Sequence, residues 1–258
     1  MPDGEARGPE FDHAGEAAYG PEFARAYDLT YRLRGKDYAA EAAHIAAVVR
    51  DRRPDATALL DVACGTGEHL AHLRASFPTV AGLDGSPAML AVAGAKLPGV
   101  PFAHGDMRDF DLGRRFDAVT CLFSAIGYLA SAAELRAAVA AMARHLVPGG
   151  VLVVEPLWRP DQFLDGHVSA QVLEHDGQTL SRVSHSTRTG RTARMEIHYL
   201  VADRTGVRHF AETHLNTLFT HEEYLDAVTD AGCAAEFLPD GPAGRGLLVG
   251  VHKGGNPP

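Results

Sequence analysis

The chain has 258 residues, 46% of them hydrophobic, which is enough to bury one substantial core with a modest insertion and no help from disulfides or metals. Its net charge of -9 argues against nucleic acid or an anionic membrane as the main partner, since phosphate recognition needs clustered Lys and Arg, and it favours a small-molecule ligand. Three cysteines, Cys64, Cys121 and Cys233, stand far apart in apolar contexts, neither a metal spacing nor an even disulfide set, so a reducing cytoplasm is the expected compartment. The N-terminal stretch is acidic and rich in Gly and Pro, without an export signal, and no window carries the ~18–20 apolar residues of a membrane span.

In chain order, 22–31 reads as a short helix and 34–50 as an Ala-rich amphipathic one. From 57 to 155 short apolar strands alternate with helical stretches, the signature of a parallel sheet covered on both faces. Strands are expected at 58–63, 79–84, 116–123 and 151–156, and the last is almost continuously apolar, as a strand buried on both faces must be. Helices are expected at 67–76, 86–97 and 131–146, with Val147-Pro148-Gly149-Gly150 as a stop before the next strand. After Glu155 the period changes to two: between 168 and 217 the alternation of Met195, Ile197, Tyr199 and Val201 is the clearest, with turns at Asp176-Gly177, Thr189-Gly190 and Thr205-Gly206. The expectation is an antiparallel sheet inserted into a doubly wound α/β fold, followed by a helix near 221–231 and closing strands at 234–238 and 246–252. The implied segments are a tail and capping helices (1–56), a nucleotide-binding core (57–156), the inserted sheet (157–217) and a C-terminal return to the core (218–258).

Chemistry first shows at Asp61-Val-Ala-Cys-Gly65-Thr-Gly67, a strand-to-helix turn where glycine lets backbone approach a ligand and the helix start offers free amides. A dinucleotide fingerprint would place a third small residue where His69 and Leu70 stand, so a nicotinamide-dependent oxidoreductase is disfavoured. Asp84 ends the second strand, where a carboxylate can accept from both ribose hydroxyls, or else simply open the helix at Ser86-Pro87. Asp106, after the third strand, can accept from an adenine amino group with Met107 packed on the ring, or it is a solvated loop aspartate. His69 and His72 sit three apart on a helix but lack a third ligand, so no metal is expected, and His104, His185 and His198 read as hydrogen-bonding residues of the sheets.

These residues and their order resemble class I S-adenosylmethionine-dependent methyltransferases. Further strings narrow the resemblance: Tyr27-Asp-Leu, Arg34-Gly-Lys-Asp-Tyr38, Gly105-Asp-Met-Arg-Asp-Phe110, Arg182-Val-Ser-His-Ser186 and Gly241-Pro-Ala-Gly-Arg-Gly-Leu247 are similar to the N,N-dimethyltransferases of TDP-amino-deoxysugar pathways, which complete mycaminose and desosamine for macrolide antibiotics. The resemblance implies that Tyr27, Arg34, Tyr38, Ala63, Gly65, Gly67, Asp84, Asp106, Met107 and Leu122 bind S-adenosylmethionine. It implies a TDP-amino-sugar substrate and a homodimer, for which an exposed edge of the inserted sheet is a plausible contact.

Arg245, in its Gly-Pro-Ala-Gly loop, suits the substrate diphosphate, while Arg182 and Ser184 share one strand face and can both reach ligand. The stretch 157–217 holds seven Arg against seven Asp plus Glu, locally neutral in an acidic chain and more tolerant of an anionic sugar nucleotide. Trp158, the only tryptophan, can stack on thymine or sugar, or pack at a hinge. Methyl transfer to nitrogen needs a neutral, aligned amine, and a tyrosine or water near the sugar nitrogen must receive its proton; Tyr19 and Tyr128 are the candidate catalytic residues, with Tyr19 also contacting substrate. Relatives usually carry Glu in place of Asp84 and often two adjacent tryptophans where this chain has Leu157-Trp158, which leaves open whether the amine sits on C3 or C4. Two other readings are an O-methyltransferase for a small alcohol, which would want a metal or a dedicated His base, and a non-catalytic cofactor-binding module, against which the intact Asp84, Asp106 and Arg245 speak.

Overall fold

The computed structural model describes residues 19–254; the acidic tail at 1–18 and the last four residues lie outside the described residues. Two compact units emerge. The larger comprises Tyr19–Phe163 and the segment from Thr217 onward; the smaller is Leu164–Asn216.

The larger unit opens with helix α1 (Pro21–Leu33) and helix α2 (Tyr38–Arg52). The second helix was expected from Arg34, but it starts at Tyr38, because Gly35 takes a left-handed φ of +77° and Asp37 caps the new helix by accepting from the Ala40 amide at 2.9 Å. Then follow β1 (Ala58–Val62), α3 (Glu68–Leu73), β2 (Thr79–Asp84), α4 (Pro87–Lys96), β3 (Phe102–His104), β4 (Phe116–Cys121), α5 (Ala132–Arg144) and β5 (Leu146–Val154). After the smaller unit come α6 (His221–Asp230), β10 (Cys233–Leu238) and β11 (Leu247–His252).

Seven strands pair in the order β10-β11-β5-β4-β1-β2-β3, parallel except at β11, which runs against both its neighbours. Two apolar layers cover the sheet. Leu60, Val119 and Leu152 point into the layer completed by Leu135, Val139 and Met142 of α5, while Leu59, Ala118 and Val153 face Ile45 and Val49 of α2. Each fully buried Leu or Val of this kind contributes about 1.5–3 kcal/mol. The order reverses between β1 and β4, and in open α/β sheets the crevice outside the carboxyl ends of the strands at such a switch point receives the ligand.

Two strands differ from expectation by two residues or more, for local reasons. β4 was expected to reach residue 123 but stops at Cys121, since Phe123 and Ser124 adopt φ of +54° and +61°, outside strand geometry. β5 begins at Leu146 rather than Val151: Val147-Pro148-Gly149-Gly150, read as a stop, instead bulges out of register between the pairs Phe116–Leu146 and Ala118–Val151.

The smaller unit is a four-stranded antiparallel sheet, β6 (His167–His175), β7 (Gln178–Thr189), β8 (Thr192–Asp203) and β9 (Gly206–Thr217), in sequential order. Its period-two alternation buries Leu180, Arg182, Ser184, Ile197, Tyr199 and Val201 on one face and leaves Val168, Val172, Val183 and Leu200 exposed on the other.

Candidate active site

A cleft of about 310 Å³, mouth included, opens at the carboxyl ends of β1 and β4. It is lined by Tyr27 and Tyr38 from the N-terminal helices, Asp61, Ala63, Cys64 and Thr66 from the glycine loop, Glu68 and His69 from α3, and Leu122 and Phe123 after β4. Of the residues assigned to the cofactor from sequence, Tyr27, Tyr38, Ala63 and Leu122 thus meet at one place.

The loop's backbone explains its residues. Ala63, Gly65 and Gly67 all take positive φ, and Gly67 at +77° starts α3 where a Cβ would meet Leu97 at 3.1 Å. Gly65 donates its N–H to Asp84 Oδ2 at 2.8 Å, while Asp84 Oδ1 accepts from Ser86 N at 2.8 Å. Asp84 therefore clasps loop and helix start, and each carboxylate oxygen keeps a second lone pair for a hydroxyl donor. Burial raises its pKa, and the two backbone amides work against that rise.

Tests of fit for an adenosyl sulfonium come from the buried polar atoms. Tyr38 Oη is buried in the cleft wall without a hydrogen-bond partner, as expected where a ligand completes the set. Asp61, 2% exposed, accepts from Thr120 Oγ1 at 2.6 Å, and burial pushes its pKa up to about 6. A carboxylate held so uncomfortably favours a cationic partner. These residues fit the group.

Sequence reasoning gave no role to Asp61, Thr66, Glu68, His69 or Phe123. Asp61 stood at the head of the glycine motif and at a strand's carboxyl end, a signal that could have found it. The others depend on long-range pairing. Asp28 of α1 accepts from Thr66 Oγ1 and Lys96, and Lys96 also reaches Glu68 at 2.5 Å. Glu41 of α2 binds both Lys36 and, at 2.8 Å, His69 Nε2. Burial alone would raise Glu41, but the hydrogen bonds from His69 and Lys36 bring it below its usual range.

An aromatic chain runs from the cleft. Phe123 meets Tyr31 edge-on with centroids 4.8 Å apart, Tyr31 meets Tyr27 at 4.7 Å, and Tyr27 meets Tyr19 at 6.1 Å. Tyr19 Oη and Tyr128 Oη stand 2.7 Å apart, so the two candidate catalytic residues are in contact although 109 positions separate them.

Other assigned residues stand differently. Arg34 is exposed, 5.5 Å above the Tyr31 ring and outside the cleft lining. Asp106 is gripped by Arg108, whose guanidinium hydrogen bonds hold its carboxyl below the usual range, while Met107 packs against the core. Arg245 is ion-paired with the fully buried Glu155 and lies 5.4 Å over the Trp158 ring. Its Nε is buried without a partner, so one donor remains to be satisfied. Its loop needs glycine: a Cβ on Gly241 would come within 2.5 Å of the Gly246 backbone. In the smaller unit Arg182 Nη1 donates to Ser184 Oγ at 2.9 Å; both side chains are buried, and Arg182 Nε also lacks a partner. The strand face that the two share is a buried one.

Comparison with known proteins follows the same lines. Residues 59–150 match the methyltransferase domain family. The chain is 56% identical over 234 residues to the dTDP-3-amino-3,4,6-trideoxy-alpha-D-glucopyranose N,N-dimethyltransferase of Streptomyces venezuelae, covering 90% of this chain and 99% of that one. It is 49% identical to the dTDP-4-amino-2,3,4,6-tetradeoxy-D-glucose N,N-dimethyltransferase of Saccharopolyspora spinosa, covering 92% and 95%. Among solved structures, the S-adenosylmethionine-bound amino pentose methyltransferase CalS10 of Micromonospora echinaspora, involved in calicheamicin biosynthesis, superposes with a TM-score of 0.83 at 51% identity, covering 92% of this chain and 99% of that one.

Proposed function

The chain belongs to the S-adenosylmethionine-dependent N,N-dimethyltransferases of TDP-linked amino-deoxysugars, and from that premise we propose that it dimethylates the C3 amine of a TDP-3-amino-deoxyhexose. The higher identity to the 3-amino relative, 56% against 49%, supports C3 over C4. When bound, the cofactor supplies a methyl group on a cationic sulfur.

The residues of this chain do the rest. Asp84 accepts from the ribose, Asp61 balances the cofactor's ammonium, and the phenol of Tyr38 closes the cleft wall. Tyr19 and Tyr128 orient the sugar amine. Burial, and then the neighbouring Tyr128, raise the Tyr19 pKa well above its ordinary value, so at neutral pH Tyr19 is a phenol whose oxygen accepts an amine N–H and leaves the nitrogen lone pair free to point in line. Tyr19 therefore does not take the departing proton, which leaves Tyr128 or water as its acceptor. Alignment of this kind is worth roughly 7–11 kcal/mol. Arg245 offers its unsatisfied Nε–H to the diphosphate. Adenine recognition by Asp106 requires its carboxylate to turn from Arg108 or to accept at a second lone pair.

The contact between Tyr19 and Tyr128, at the end of an aromatic chain leading from the cleft, carries this reading. It is tested by incubating the protein with labelled cofactor and a panel of TDP-3-amino and TDP-4-amino deoxyhexoses, and weighing the products. Dimethylated 3-amino product is expected; turnover of the 4-amino sugars alone would move the assignment to C4, and labelled O-methyl product would overturn it.

The reading extends to assembly and compartment. The exposed apolar row Val168, Val172, Val183 and Leu200 supports a homodimer whose contact is this sheet face rather than its edge alone. Three buried, unpaired cysteines support a reducing cytoplasm.

A further inference from the structure

The turn after β4 is held in an unfavourable shape by one buried carboxylate. Phe123 and Ser124 both take left-handed φ, +54° and +61°, which neither side chain favours, so something outside the turn must impose it. The imposing groups lie where β5 ends. Glu155, with no exposed surface, accepts the Phe123 N–H on Oε2 at 2.6 Å, and Ser124 Oγ donates to the Pro156 carbonyl at 2.9 Å. The other oxygen of Glu155 pairs with Arg245, so one carboxylate serves both partners. What the turn carries is functional: Phe123 lines the cleft, and the short helical turn Ala125–Tyr128 that follows ends on Tyr128, whose hydroxyl meets Tyr19.

We infer that Glu155 is a positioning residue for methyl transfer: it pins the Phe123–Ser124 turn from one oxygen while neutralising Arg245 with the other, and so sets where Phe123 and Tyr128 stand. The kinetic consequence rests on the methyl-transfer reading above; the structural consequence does not. Because Arg245 and the Phe123 amide share one carboxylate, a ligand that draws on Arg245 acts through Glu155 on the cofactor-facing turn.

The test uses the full chain with Glu155→Gln, alone and combined with Tyr128→Phe. A glutamine keeps the shape but has one acceptor oxygen for two donors, so one of the two contacts fails. With S-adenosylhomocysteine still binding one per chain, kcat is expected to fall about ten- to hundredfold, the KM for S-adenosylmethionine to stay within about threefold, and Glu155→Gln/Tyr128→Phe to be no slower than the slower single variant. Amide exchange over residues 122–130 is expected to quicken while protection in β1 and α5 holds. Losses that multiply in the double variant, a kcat that falls only in proportion to a lost binding-competent fraction, or unchanged exchange over 122–130 would overturn the inference. Should Tyr128→Phe alone keep full turnover, the amine-orienting role of Tyr128 fails, and the exchange result still decides the role of Glu155.

Discussion

The hydroxyls of Tyr19 and Tyr128 are 2.7 Å apart, with their rings edge-on at 5.6 Å. One phenol donates to the other, so the two hydroxyls hold each other in place. Because the two hydroxyls are hydrogen-bonded to one another and act as a unit, deleting either one loses the alignment of the amine, and deleting the second costs little more. Tyr19→Phe and Tyr128→Phe are expected to slow kcat about tenfold each, and the double variant by little more than the larger single loss. Steady-state turnover across pH checks this. With Tyr19 neutral, the rising limb belongs to the substrate ammonium, and a limb that disappears in Tyr19→Phe would show that the phenol ionises after all.

Buried phenols also set an alkaline limit. Burial raises the pKa of Tyr19, Tyr27 and Tyr38 above the ordinary value. Below about pH 10 both folded and unfolded chains keep these protons and stability is intact; above it the unfolded chain releases them first, so stability falls as pH rises toward the folded pKa values. Urea unfolding followed between pH 8 and about pH 11 is expected to show a steepening loss, diminished in Tyr38→Phe. A flat profile would mean that these hydroxyls reach solvent.

How much of this was legible beforehand depended on range. Local signals placed the strands, because continuous apolar runs such as Leu152–Val153–Val154 and alternations such as Ile197 and Tyr199 encode burial directly. The glycine loop and Asp84 were legible for the same reason: a strand end, a turn and a helix start are neighbours in sequence. What could not be read was the set of partners that folding brings from elsewhere in the chain. Arg245 looks like a lone loop cation until Glu155, ninety residues earlier, is brought beneath it. Asp106 is a different case: Arg108 is only two positions on, but the spacing does not say which way its side chain turns. His69 was weighed only as a metal ligand, whereas its partner Glu41 lies 28 positions away on another helix.

Asp61 offers a sharper test of the cleft. Its pKa, raised to about 6 by burial, means that the folded chain gains nothing from this group once it ionises: the contribution is present below the unfolded value near 4 and is lost as pH rises through 6, on the order of 3 kcal/mol. A cationic ligand reverses the preference. Asp61→Asn is therefore expected to raise the melting temperature of the ligand-free protein at neutral pH and to weaken S-adenosylhomocysteine binding at least tenfold. Calorimetry in two buffers near pH 5.5 is expected to show about one proton released on binding to the parent protein and none to the variant. Equal affinity in the two proteins would remove Asp61 from the ammonium's company.

The apolar row on the antiparallel sheet gives a prediction independent of catalysis. Val172 and Leu200 are 67% and 47% exposed on one face, and each would be covered by a second copy. Val172→Lys/Leu200→Lys is expected to convert a dimer to a monomer by light scattering with the melting temperature of the fold little changed. A parent protein that is already monomeric at micromolar concentration would refute the interface.

Arg245 and Glu155 form a buried pair whose two halves are unequal in the damage that their loss causes. The side chains are 10% and 1% exposed. Arg245→Met leaves the Glu155 carboxylate buried without its partner, which costs about 3–5 kcal/mol. Adding Glu155→Leu removes that charge, so the double variant is expected to regain most of the loss, short by the about 1–3 kcal/mol of an unsatisfied Phe123 amide. Kinetics should separate the same two terms. Arg245→Met raises the KM for the sugar nucleotide through its missing diphosphate donor, and Glu155→Leu on top of it lowers kcat through the freed turn. Denaturant melts beside steady-state assays read both, and a double variant no more stable than Arg245→Met would show that the pair's desolvation is not what the single substitution exposes.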